Sequence, residues 1–415
     1  MAALETPTTT PVTTLTRLPD ASNIPLAHLK ELADRHKVFQ ALYEKRHNAS
    51  TSPTPPPSPQ QQVKPSSDTQ GNLPVIGPDP LIEQEFSTNY QIEATLPDGK
   101  KITALLGGLS GSALDPANPN HLYSISDAKP GKIEGALPMI AKFERDANGN
   151  VNPVGGVALT DENGNLLKTG DFETLKVSRD AEGKLIFTAI AEGEQTEDGL
   201  PIAPTTISTF DEQGRRLTLT ALSPSAHEGL GKNTYEAWSS IDPSSPIHGA
   251  SMESTGMFLS ESPVKGTNTH RLLFHKGETE TGTVNITSPG EGWSARAVVK
   301  HPSKEGVFVI QFSKFNKQDK DNNVPFNNNE VLLTELSVTA DGKFVTTNKV
   351  HLYEDPKTVP LPGTKGVQTS KLDNMESVVF INEGDNIKAY FVTDNNFNEK
   401  QDQFISQVTF KKEDL

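Results

Sequence analysis

Residues 371–394 read KLDNMESVVFINEGDNIKAYFVTD, and the pattern of this stretch decides the fold. MESVVF and IKAYFVTD are two short β-rich runs, and the spacing predicts that they pair as one hairpin. In an antiparallel hairpin the start of the first strand and the end of the second lie at the same edge. Glu376 and Asp394 therefore belong to one edge of one sheet.

The same grammar extends through most of the chain. Asp98-Gly99, Asn148-Gly149, Asn163-Gly164 and Asp341-Gly342 punctuate it, and such pairs supply the positive φ of tight turns. Between them lie KLIFTAIAE, RLTLTAL, GVFVIQFSKF, EVLLTELSVT, KFVTTNKVHLY and QFISQVTF, with almost no helical periodicity. So many short strands in one block exceed what a single sandwich accommodates and predict an all-β propeller, here of six or seven blades.

A repeat runs through these strands. DFETLKV (171–177), SMESTGMF (251–258) and DNMESVVF (373–380) each place a Glu before small or apolar residues; GGLSGSALD (107–115) has Ser110 in that place. Ser110, Glu173 and Glu376 are followed 17, 19 and 18 residues later by Asp127, Glu192 and Asp394. The innermost strands of a propeller converge on its channel, so these groups are expected to meet at one mouth. Trp238 and Trp293 read as packing between blades.

The first 80 residues are different. Residues 1–23 are Thr- and Pro-rich, PLAHLKELADRHKVFQALYEKRH predicts one amphipathic helix at about 25–46, and a Pro/Ser/Gln linker follows. The expected organisation is a disordered leader over 1–80 and the propeller over 81–415. The helix or a propeller face would serve any protein partner. The N-terminus shows no basic segment followed by an apolar one, so no signal peptide is visible in it. No stretch approaches the ~18 consecutive apolar residues of a membrane span.

Across 415 residues, 38 Lys and Arg stand against 53 Asp and Glu, a formal charge of −15. That balance excludes a nucleic-acid binder, which needs a basic face, and suits a surface that gathers cations. Zero cysteines exclude disulfides, thiolate metal sites and a Cys nucleophile. HExxH is absent, as is the Arg-His-Gly signature of histidine phosphatases.

The strings GGLSG, DFETLKV, MESTGMF and LDNMESVVF…FVTDNNF resemble the phytase-like (esterase-like activity of phytase) family over about residues 87–413. Members of that family show GG(I/L)SG, repeated EG(I/L) strand starts, and DN-x-EG followed by SDDNF. This chain has Thr174, Ser254 and Ser377 where those glycines stand. The resemblance implies hydrolysis of phosphate esters or carboxylic esters, and an extracytoplasmic or secreted location.

Carboxylates without thiolates suit a hard cation. Calcium takes six to eight oxygen ligands, which Glu173, Glu253, Glu376, Asp127 and Asp394 are expected to supply with waters. Ser110 and Glu192 are the catalytic candidates, although Gly108-Leu109-Ser110-Gly111-Ser112 is not the nucleophile elbow of serine hydrolases. Two functions follow: a calcium-dependent ester hydrolase acting on a small molecule at the channel mouth, or a calcium-stabilised propeller that binds a partner without chemistry.

Overall fold

The computed structural model describes residues 61–63 and 82–415, apart from 129–132, 197–200, 315–329, 355–359, 398–402 and the positions 81, 88, 169, 232, 233, 370, 371 and 373. The expected helix at 25–46 lies outside the described residues, as does most of the leader. Among the described residues no helix is long and apolar enough to cross a membrane.

Five sheets of four to six strands form the blades. Their innermost strands are Leu109–Asp115, Phe172–Arg179, Tyr235–Ser240, Trp293–Lys300 and Met375–Glu383, which we number blades 1 to 5. Within each blade the chain moves outward by antiparallel hairpins. The fourth strand of blade 5 is Ile82–Phe86, from the other end of the chain, paired antiparallel with Gln403–Lys411. Joining a strand from before blade 1 to the last strand of the chain in one blade closes the ring and protects a sheet edge that would otherwise stand open.

The blade count is five, not six or seven. Surplus chain went into wider blades instead of extra ones. Blade 1 gains Gln91–Thr95 and Lys101–Leu105, and blade 4 gains Lys365–Gln368. A short helix, Pro246–Ala250, with Ser245 as its cap, fills a long connection in blade 3.

The blades hold together by their side faces. Five apolar clusters occupy the five junctions: Ile125 and Phe187 between blades 1 and 2, Ile190 and Phe258 between 2 and 3, Phe274 and Phe312 between 3 and 4, Leu333 and Phe391 between 4 and 5, Phe143 and Val392 between 5 and 1. Each such side chain contributes about 1.5–3 kcal/mol by leaving water. Both faces of a middle strand are covered, which is why IKAYFVTD reads as a nearly continuous apolar run and not as an alternating one.

Close approach at the axis sets a further demand. A Cβ on Gly111 would lie 2.5 Å from the backbone nitrogen of Leu175 and 2.6 Å from Thr174 Cα, on the neighbouring inner strand. Backbone cannot swing aside as a side chain can. Gly111→Ala is therefore expected to force blades 1 and 2 apart and destabilise the protein by about 1–3 kcal/mol, read as a lowered denaturation midpoint. An unchanged midpoint would mean that the two strands are not held at this separation.

Candidate active site at the channel mouth

Every innermost strand carries a β-bulge near its start. In blade 1 the pairing passes from Leu109 to Gly111 and skips Ser110. In blade 2 it skips Glu173, in blade 3 Glu236, in blade 4 Arg296 and in blade 5 Glu376. A bulge leaves one residue out of the ladder and re-aims its side chain. Repeated at one level of five converging strands, it collects five side chains around the axis. In four blades the residue that follows the last paired position of the second strand joins them: Asp127, Glu192, Glu261 and Asp394. Blade 4 contributes Lys314 from the end of its second strand.

Together these elements line a cavity of about 1260 Å³ that contains ten carboxylates and two cations, Arg296 and Lys314. Arg296 is the hub. Its Nη1 donates to both oxygens of Glu236, at 2.8 and 2.7 Å, and lies 3.3 Å from Glu261 and 3.2 Å from Glu376. One guanidinium thus joins blades 3, 4 and 5. Glu192, Glu236 and Glu261 offer carboxylate oxygens within 4.8 Å of one another, a three-ligand group on blades 2 and 3.

Electrostatics follow from burial and crowding. Burial first, then the like charges of Glu192 and Asp127, push the Glu173 carboxyl well above the usual range. Burial with Glu261 and Asp171 does the same to Glu192, against a 2.8 Å hydrogen bond from the Thr234 amide. Glu236 also rises through burial, with Arg296 opposing. Asp394 rises through burial and Asp127. Glu376 is pushed up to about 7 by burial, although Arg296 pulls it back. Burial works against the Arg296 charge, yet Glu236, Glu376 and Glu261 hold it firmly protonated.

The sequence-predicted residues divide clearly. Glu173, Glu376, Asp127, Asp394 and Glu192 line the cavity. Ser110 occupies the bulge of blade 1 but is buried outside the lining, its hydroxyl 3.5 Å from the Gly108 carbonyl. Glu253 does not come near. It sits in the connection at the opposite end of blade 3, with φ of 59° and a side chain 70% exposed, paired with Lys276. The blade 3 strand start is Tyr235-Glu236-Ala237, and Glu236 holds the position expected of Glu253. Glu236, Glu261 and Arg296 were missed. The signal for Glu236 lies in TYEAWSS, which repeats the aromatic–Glu–small order of DFETLKV.

The glycines of GGLSG now have a reason. The Gly108 amide donates to Asn395 Oδ1 at 2.9 Å, tying blade 1 to the DNNF segment of blade 5. Gly108 has φ of +60°, and a Cβ there would fall 2.2 Å from Asp127 Oδ1. The two most distinctive motifs are therefore one contact, next to the acidic cavity.

Fold and site together define a five-bladed propeller with a carboxylate-lined mouth centred on a buried arginine. The chain belongs to the phytase-like family (esterase-like activity of phytase), whose model matches residues 104–397. Among solved structures it is similar to a family-43 β-1,3-galactosidase with galactodeoxynojirimycin, at 12% identity over 78% of this chain and 95% of that one, TM-score 0.39. It is also similar to a thermostable family-43 glycoside hydrolase, at 11% identity over 74% and 90%, TM-score 0.40. The sialidase of Trypanosoma rangeli matches at 8% identity over 80% and 60%, TM-score 0.37. No curated protein matches the chain.

Proposed function

We propose that the protein is a calcium-dependent hydrolase of phosphate or carboxylic esters, with its reaction site in the acidic cavity. The observation that supports this most is the convergence of bulge carboxylates around one opening. The donor set fits the ion: it is all oxygen and largely buried. Burial, followed by neighbouring carboxylates at Glu192 and opposed by Arg296 at Glu236, raises the proton affinity of these two groups. A divalent cation would offset both the burial and the like charge. Glu192, Glu236 and Glu261 would hold calcium, with waters completing its shell. Glu236 would share its charge between the ion and Arg296.

Bound calcium would polarise the ester oxygen and orient an attacking water. Glu376, pushed up to about 7, would accept the proton of the water, and Glu173, whose carboxyl burial pushes further toward its protonated form, would supply one to the leaving group. Arg296 keeps Glu236, Glu261 and Glu376 from recoiling, so the carboxylates stay in position. Trp293 and Asn396 form part of the wall where a small substrate would rest.

Charge makes a finer distinction. A phosphate ester entering among ten carboxylates is repelled unless cations bridge it, whereas a neutral carboxylic ester is not. A panel of both substrate types, with calcium and with a chelator, tests the reading. Phosphate-ester turnover is expected to vanish with the chelator, and carboxylic-ester turnover to fall less steeply. No turnover of either type, together with a calcium-raised melting temperature, would replace the hydrolase with a calcium-stabilised binding module.

A further inference from the structure

The channel does not end at the carboxylate ring. Beyond the bulges, the same five inner strands line a second cavity of about 470 Å³, and Glu173 and Arg296 border both spaces. Its character is opposite. The walls are largely apolar, with Leu114, Val177, Val298 and Phe380 among them. Glu173 is its one carboxylate, against four cations: Lys176, Arg179, Lys300 and Arg296.

Three of those cations are already satisfied. Arg179 pairs with Asp115 at 2.6 Å, Lys300 with Asp242 at 2.6 Å, and Arg296 with the carboxylates of the ring. Lys176 is different. Its ammonium donates to the neutral hydroxyl of Ser240 at 2.6 Å and lies 5.8 Å from the Trp238 ring centroid. Among the described residues it has no ion-pair partner. An ammonium in partly apolar surroundings favours an anion, since solvation no longer covers its charge fully. The volume falls within the roughly 300–1,000 Å³ of small-molecule sites.

We infer that this end of the channel is a second binding site for a small amphiphilic organic anion, with its carboxylate on Lys176 and its hydrocarbon body along the apolar walls. The inference is independent of the hydrolase reading. It uses the other half of the channel and calls for no reaction.

Octanoate and octanol are suitable probes, because they share a chain and differ in charge. In calorimetric titration of the full chain, octanoate is expected to bind at least about tenfold more tightly than octanol. Lys176→Met should remove that advantage and leave octanol binding as it was, while Lys176→Arg should keep it. The Lys176→Met protein should melt no lower than wild type, because it loses a partly desolvated charge. Octanoate affinity should also be the same with calcium and with a chelator. Equal binding of the two probes, octanoate binding that survives Lys176→Met, or no octanoate binding at millimolar concentration would each overturn the site. Calcium-dependent octanoate binding would too, because it would place the probe in the acidic mouth.

Discussion

Arg296→Met is expected to be the most damaging single substitution at the site, costing about 3–5 kcal/mol of stability in the metal-free protein. The reason is geometric. Glu236, Glu261 and Glu376 come from three elements of blades 3 and 5, and the guanidinium of blade 4 stands within 3.3 Å of all of them. Methionine fills similar space but leaves three buried carboxylates facing one another. Arg296→Lys should recover only part of the loss, because an ammonium is a point charge and cannot fork between blades as a guanidinium does. Denaturant titration checks the order wild type, Lys, Met. If calcium binds this ring, adding it should restore stability to the Met variant by more than it adds to wild type. A Met variant as stable as wild type would show that the ring is not strained by its own charge.

The same arginine explains how much of the site could be read in the sequence. The hairpin of residues 371–394 announces the propeller because both of its strands are buried on two faces and its acid pair sits at one edge. Glu173 with Glu192 and Ser110 with Asp127 follow the same spacing. Blade 4 breaks the chemistry of the repeat while keeping its geometry: Ser294-Ala295-Arg296-Ala297 is bulged as its counterparts are, but the residue it delivers has the opposite charge. A search for recurring glutamates passes over it. Blade 3 misleads in another way. Met252-Glu253-Ser254 copies the letters of Met375-Glu376-Ser377, yet it belongs to a turn beyond the short helix, whereas Glu236 lies two residues into the strand. Its acid partner Glu261 follows after 25 residues because that helix lengthens the hairpin connection. The number of blades was hidden for a related reason. Strand signals such as those of Gln91–Thr95 and Lys101–Leu105 are genuine, but pairing and not local sequence decides whether they begin a new blade or widen an old one.

Glu192→Gln is expected to have the largest effect on function with the least effect on the fold. Of the three carboxylates grouped within 4.8 Å, Glu236 and Glu261 also hold Arg296, so altering either one changes stability and ligation together. Glu192 makes no ion pair with the arginine among the described residues. Its Oε1 accepts the Thr234 amide at 2.8 Å, and a glutamine oxygen can accept that bond equally well. The substitution therefore removes one charge and one good calcium ligand while the local hydrogen bond survives. Calcium affinity should fall at least about tenfold, and the calcium-induced rise in melting temperature should shrink by linkage. The metal-free protein should melt at the same temperature as wild type or higher, because a buried like charge has been taken away. Any calcium-dependent turnover should fall with the affinity and recover in part at higher calcium. Glu253→Gln, on the far end of blade 3, is the matched control and should change none of these quantities. If Glu192→Gln binds calcium as wild type does, the three-carboxylate group is not where calcium sits.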